Sequence, residues 1–339
     1  MGHGGDIYEK KIEYDFSVSI NPMGAPAEVI DALKDSISHV SEYPDIRQRR
    51  LKEALAASEK CNTDEVLGGS GASEILFAIV QMVKPATALL ISPCFSGYGY
   101  ALGILDDCKI KYCPEAEIET VPDRIDADTG IVFIANPNNP TGRNIDKKLL
   151  FKIAERCERT GTCLVADECF LPLSEYQYSL SAIAVKQKNL FVVKAFTKTF
   201  AIPGVRIGYV ISSADNISRL TGYLPEWNLS IQAMEAGVAC AGMMQDTDYL
   251  ERSYHMVKKE RRYLEGNLKK IGIEFISSDT CYILCQSKRN LYDKLLEKGF
   301  LIRDCGDFKG LRKGWFRIAV KDHEANKSLL EKIYEITKS

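Results

Sequence analysis

The chain has 339 residues, 44 basic against 46 acidic for a formal net charge of −2, and is 45% hydrophobic and 27% charged. That balance excludes the strongly basic surface of a nucleic-acid binder or of a protein held on anionic membranes. The longest apolar runs, such as 131–135 and 190–193, are too short to span a bilayer.

The opening MGHGGDIYEKK carries no apolar leader, so a cytoplasmic location is expected. Eleven cysteines are scattered along the chain without the companion ligands of a zinc site, and His3, His39, His255 and His323 are equally dispersed. Reduced thiols and no metal are the expectation.

In chain order, a helix is expected around 27–40. LGGSGASE (67–74) is a glycine-rich turn leading from a short strand into a helix over 72–84, whose apolar residues recur at helical spacing. TALLISP (87–93), GIVFIANP (130–137), TCLVADE (162–168), LFVVKAF (190–196) and RIGYVISS (206–213) read as strands buried on both faces, with a helix over 145–161 among them. This alternation predicts an α/β fold, a large domain with a mostly parallel sheet flanked by helices. Past 230 the pattern changes to a long amphipathic helix near 246–271, an extended stretch over 274–287, a further helix, a strand over 315–320 and a last helix. That reads as a smaller α+β domain. The expected division is 1–40 joining the small domain, 41–228 as the large domain and 229–339 as the small one.

Ligands of an open parallel sheet gather at the carboxyl ends of its strands, and four features fall there. The turn at 67–74 offers free N–H groups and a helix dipole to an anion, although tight-turn glycines look the same. Asn136–Gly142, with Pro137 and Pro140, ends a strand in a rigid loop. Asp167 and Glu168 follow an apolar run, as a helix cap or a solvated carboxylate also would. Lys194 and Lys198 follow the run 190–193, and Arg206 lies eight residues beyond Lys198. An unpaired ammonium at the end of a buried strand is costly. Either the strand has surfaced, or one lysine is held there for chemistry.

In this order and spacing, NPNNPTG, ADE and FTKTFAIPGVRIGY resemble the motifs of the fold-type I, pyridoxal-phosphate-dependent enzymes of the class I/II aminotransferase superfamily. The resemblance implies pyridoxal 5′-phosphate as cofactor, Lys198 bonded to its aldehyde, Asp167 paired with the pyridine nitrogen and Asn139 on the 3′-oxygen. It implies Phe95 on the ring face, with Tyr98 nearby, and Gly71, Ala72, Thr197 and Arg206 around the phosphate. Tyr43, in EYPD, is implied to reach the phosphate of the neighbouring subunit in a homodimer. Lys194 is left as a surfaced residue on the other face of its strand.

Shorter motifs narrow the resemblance. His3-Gly4-Gly5, FSVSINPMG (16–24) and LIRDC (301–305) are similar to the branch that decarboxylates L-threonine O-3-phosphate for cobalamin biosynthesis, a neighbour of the histidinol-phosphate aminotransferases. This implies a small phosphorylated amino acid bound by His3, Asn21, Arg303 and Arg317. An aminotransferase on the same site is the main alternative, and a non-catalytic regulatory protein of the same fold is another. The chain departs from the family pattern at two positions. Ala195 replaces a hydroxyl residue that contacts phosphate in many relatives, and Phe170 replaces a tyrosine that contacts the 3′-oxygen. Each change removes a hydrogen bond worth about 1 kcal/mol.

Overall fold

The computed structural model describes residues 4–8 and 11–338. Its centre is a seven-stranded sheet in the order 66–69, 208–211, 190–195, 163–167, 131–135, 87–92, 109–114. Every strand points the same way except Gly208–Ile211, which is antiparallel to both its neighbours. The interior strands are built from Val, Ile, Leu, Phe and Ala and are buried along their length, as strands covered on both faces must be.

Side chains alternate across a strand, and each face receives its own core. Leu90, Phe133, Val165 and Val193 pack with Ile75, Ile79 and Tyr98 of the helices Ala72–Val83 and Ser96–Leu102. Leu89, Ile134, Ala166 and Val192 pack on the opposite face with Leu51, Leu150 and Cys240 from the helices Arg49–Glu59, Lys147–Thr160 and Ile231–Asp246. Local signals set the helix ends: Asp146 caps the N–H groups of Lys148 and Leu149, and Gly161 ends the same helix in the left-handed conformation, at φ 73°.

A second, four-stranded sheet runs 303–304, 315–319, 282–286, 274–276, all antiparallel. Its core joins Ile283, Ile318, Leu264, Leu329 and Ile333 to Phe16. Tyr14–Asp15 pairs in parallel with Phe300–Leu301, which ties the start of the chain to this smaller unit.

Packing divides the chain differently from the expected 1–40 and 229–339. The helices Ala27–Ser36 and Ile231–Asp246 pack on each other and share the core of the large sheet, through Val29, Ala233, Met234 and Ala236. Apolar faces, rather than sequence proximity, decide the side each helix joins. The long helix expected near 246–271 is found as the single helix Tyr249–Ile271; the helix Ile231–Asp246 ends just before it, at Thr247, whose backbone is extended at φ −132°.

Lys194 corrects another expectation. It is not surfaced: its Nζ lies 2.6 Å from Glu59 and 3.8 Å from Glu168, with 12% of its side chain exposed. Tyr209 donates its hydroxyl to the same Glu59, and Ser179 and the Leu180 N–H donate to Glu168. Removing this lysine leaves two carboxylates buried without a cation. Lys194→Met should therefore lower the unfolding free energy by about 3–5 kcal/mol in urea titration. A loss well under 1 kcal/mol would mean that the pair carries no weight.

Candidate active site

At the carboxyl ends of the parallel strands, a cavity of about 220 Å³ lies between the large sheet and the smaller unit. Residues 4, 17–19, 71–73, 95, 96, 135, 137, 139, 167, 169, 170, 195, 197, 198, 206, 303, 308 and 317 contribute to its walls. Of the residues expected in a site, it brings together Lys198, Asp167, Asn139, Phe95, Gly71, Ala72, Thr197, Arg206, Arg303 and Arg317. Tyr43 is outside the cavity, 83% exposed, with its ring 5.1 Å from that of Trp227. His3 lies outside the described residues.

Lys198 sits in the short helix Phe196–Thr199 that follows the strand 190–195. Burial and the neighbouring Arg317 and Arg206 guanidinium groups lower its pKa from the usual lysine value, partly offset by Cys169 and Cys281. Its amine is 5.9 Å from the Phe170 ring, which stands edge-on to Tyr282. An amine of lowered pKa in such a pocket is the form that attacks an aldehyde.

Strand alternation puts Asp167 on the face of Val165, toward Tyr98. The buried Tyr98 hydroxyl donates to Asp167 Oδ2 at 2.7 Å, and the Cys169 N–H donates to Oδ1 at 3.1 Å. The carboxylate is thus fixed at both oxygens, with Tyr98 itself stacked 5.0 Å from Phe133.

The anion cradle is built from a turn and one arginine. Gly71 stands at φ 78°, and a Cβ there would meet Arg206 Nη2 at 2.8 Å, so the missing side chain lets the guanidinium close on the helix start. The Gly71 N–H, expected to face phosphate, donates back to Gly69 O at 2.7 Å. The donors left open are those of Ala72 and Ser73, at the start of the helix Ala72–Val83. Arg206 holds φ 62°, an uncommon conformation for a side chain of its size.

The opposite wall comes from the smaller sheet, where Arg303 and Arg317 are direct cross-strand partners. Arg317 donates to Asn139 Oδ1 and, at 3.2 Å, to Ser17 O, and lies 4.9 Å from the Tyr282 ring centroid; its buried Nε has no partner among the described residues. Arg303 has Asp307 3.2 Å from Nη2 and the Phe308 ring beneath it at 5.2 Å. Like charges placed opposite each other across a sheet destabilise it, so this pair marks a place for anionic groups.

Asn21, expected on the substrate, is elsewhere. It is 1% exposed, its N–H donates to Lys198 O at 2.9 Å, and its amide donates to Thr199 O at 2.8 Å and Ser253 Oγ at 2.7 Å. It holds the turn that carries Lys198. Two positions earlier, Ser19 lines the cavity, with its Oγ buried and without a partner among the described residues. The polar residues of SVS in 17–19 were the available signal for that wall; the hydrogen bond from Tyr98, expected only near the ring, to Asp167 spans 69 residues and had no local signal.

The electrostatics give a test that needs no cofactor. Because the folded pKa of Lys198 lies below its unfolded value near 10.5, the unfolded chain holds more protons below that value, and folding is penalised there. The penalty disappears as pH rises toward the unfolded value. Cofactor-free Lys198→Met should accordingly unfold at higher urea than the wild type at neutral pH, with the gap closing toward alkaline pH. A gap independent of pH would contradict the electrostatic assignment.

The description "Aminotransferase class I and II" matches residues 11–333. The threonine-phosphate decarboxylase of Salmonella typhimurium is 28% identical over 97% of this chain and 94% of its own length. The histidinol-phosphate aminotransferase of Methanothermobacter thermautotrophicus is 29% identical over 93% of this chain and 87% of its own. The crystal structure of the histidinol-phosphate aminotransferase from Clostridium acetobutylicum superposes with a TM-score of 0.87 at 29% identity, covering 96% of this chain and 99% of that one. The cavity fits that family's pyridoxal 5′-phosphate: a desolvated lysine for the aldehyde, a two-point-held carboxylate for the pyridine nitrogen, and a glycine cradle closed by an arginine for the phosphate. The chain is an enzyme belonging to the class I and II aminotransferase family, with pyridoxal 5′-phosphate as its cofactor.

Proposed function

We propose that the enzyme decarboxylates L-threonine O-3-phosphate to (R)-1-amino-2-propanol phosphate, a step of cobalamin biosynthesis. The observation that carries the reading is the pair Arg303 and Arg317, side by side on adjacent strands and facing one cavity with Lys198. Two adjacent guanidinium groups suit a small substrate with two oxyanions, a phosphate and a carboxylate. The decarboxylase relative at 28% identity supports the choice of reaction.

When bound, pyridoxal 5′-phosphate supplies the electron sink for the bond broken at Cα. The chain supplies the rest. Arg206, Thr197 and the Ala72 and Ser73 N–H groups would hold the cofactor phosphate, Phe95 would lie against the ring, and Asp167, fixed by Tyr98 and the Cys169 N–H, would pair with the ring nitrogen. Asn139 serves the 3′-oxygen side while its Oδ1 orients Arg317. Arg317 and Arg303 fix the substrate's oxyanions, and Ser19 offers them its unpartnered hydroxyl. Lys198, facing the same cavity, is the group placed to deliver the proton that replaces the departing carboxylate at Cα. Phe170 and Phe308 limit water around it.

Transamination of histidinol phosphate is the second reading, favoured by the two aminotransferase relatives at 29% identity. Both readings use the same cofactor groups and differ in the bond broken. The functional unit is proposed to be a cytoplasmic homodimer: Tyr43 at 83%, Val40 at 67% and Ile37 at 58% exposure leave apolar surface for a second copy, whose cofactor phosphate Tyr43 would reach.

O-Phospho-L-threonine should release carbon dioxide and yield aminopropanol phosphate with no 2-oxo acid present. Arg303→Ala should raise KM for the phosphorylated substrate by a factor corresponding to about 2 kcal/mol or more. Glutamate formation from histidinol phosphate and 2-oxoglutarate, with phosphothreonine untouched, would replace the decarboxylase by the aminotransferase.

A further inference from the structure

The glycine turn of the anion cradle carries a carboxylate where an anion is expected to bind. Glu74 lies in the first turn of the helix Ala72–Val83, next to the open N–H groups of Ala72 and Ser73. Its Oε2 accepts the Ser70 N–H at 2.6 Å, which takes that donor out of the cradle and shapes the turn. A carboxylate free to rotate here would face the incoming phosphate, and like charges in a partly desolvated site repel. One side chain keeps it turned away: Asn228 donates from Nδ2 to the same Glu74 Oε2 at 2.8 Å.

Asn228 is itself fixed. Its Oδ1 accepts from Gln48 Nε2 at 3.0 Å. The Gln48 amide also bonds both polar groups of Gly68, accepting its N–H at 2.8 Å and donating to its carbonyl at 3.1 Å. It thereby occupies the outer edge of the strand 66–69 as a neighbouring strand would, and a Cβ on Gly68 would meet Gln48 Oε1 at 2.9 Å. Gln48 and Trp227, the residue before Asn228, both hold φ 52°, a left-handed conformation that non-glycine residues adopt only when their surroundings enforce it. The strain is therefore concentrated in the residues that aim this network.

We propose that Asn228, itself fixed by Gln48, is a positioning residue for the cofactor phosphate: it holds the Glu74 carboxylate onto Ser70 and off the phosphate cradle. The inference rests on the reading of the Gly71–Ser73 turn with Arg206 as the phosphate site. It extends that site to residues that touch neither cofactor nor substrate, and it runs through Trp227 to the exposed ring pair with Tyr43.

The test compares two ligands that differ in one group. Dissociation constants of the full chain for pyridoxal 5′-phosphate and for pyridoxal, which lacks the phosphate, are read from the visible absorbance of the bound form. Asn228→Ala should weaken pyridoxal 5′-phosphate about tenfold, the scale of a lost hydrogen bond to a charged group, and leave pyridoxal unchanged. Adding Glu74→Gln should restore phosphate-dependent binding, because the amide still accepts from Ser70 and carries no charge. Parallel weakening of both ligands, or no restoration by Glu74→Gln, would overturn the proposal. If the wild type binds pyridoxal as tightly as pyridoxal 5′-phosphate, the fault lies instead with the placement of the phosphate site.

Discussion

An amine held among cations is the constraint around which this molecule is arranged. Lys198 is surrounded by protein, faces Arg317 and Arg206, and is shifted toward its neutral form by burial first and by those charges second. Such a group is unfavourable for folding unless something else holds it in place. The scaffold does so from three directions. The strand 190–195 delivers the turn, Asn21 binds the backbone carbonyls of Lys198 and Thr199, and Tyr249 and Ser253 of the helix Tyr249–Ile271 receive the Asn21 amide in turn. The chemical lysine is thereby fixed by the N-terminal segment and by a helix that reaches into the smaller unit.

The same strand shows how alternation separates structural from chemical charge. Lys194 extends to the face of Leu190 and Val192 and is neutralised by Glu59 and Glu168. Asp167 and Glu168, neighbours in sequence, likewise take opposite faces: the first joins Tyr98 at the cavity, the second joins Lys194 behind the sheet. One face carries an ion network of one lysine and two carboxylates, and the other presents an excess of positive charge to a ligand. Phe170, in the place of a tyrosine in many relatives, adds apolar surface near the amine instead of a hydroxyl.

Local patterns made much of this readable in the sequence. Buried strands of five or six apolar residues, the glycine turn at 67–74 and the asparagine loop at 136–142 are short-range signals, and the site residues attached to them lie in the cavity. Features that depend on distant partners were not readable. Lys194 meets Glu59 across 135 residues, and Asn21 meets Ser253 across 232. The assignment of Asn21 to substrate failed because its amide is taken up by Thr199, Tyr249 and Ser253, partners that sequence spacing does not record. The helices Ala27–Ser36 and Ile231–Asp246 were assigned to the smaller unit because an amphipathic face does not name its partner.

Two lysines four positions apart have different roles because Lys194 extends from the strand 190–195 toward Glu59 while Lys198 stands in the helical turn Phe196–Thr199 that follows it, facing the cavity. Reduction of the yellow holoenzyme with borohydride, followed by proteolysis and mass spectrometry, tests it directly. The account predicts that the pyridoxyl phosphate mass is carried by Lys198 alone, with Lys194 unlabelled in its ion pair. Labelling at Lys194, or at neither lysine in a preparation that contains the cofactor, would contradict it.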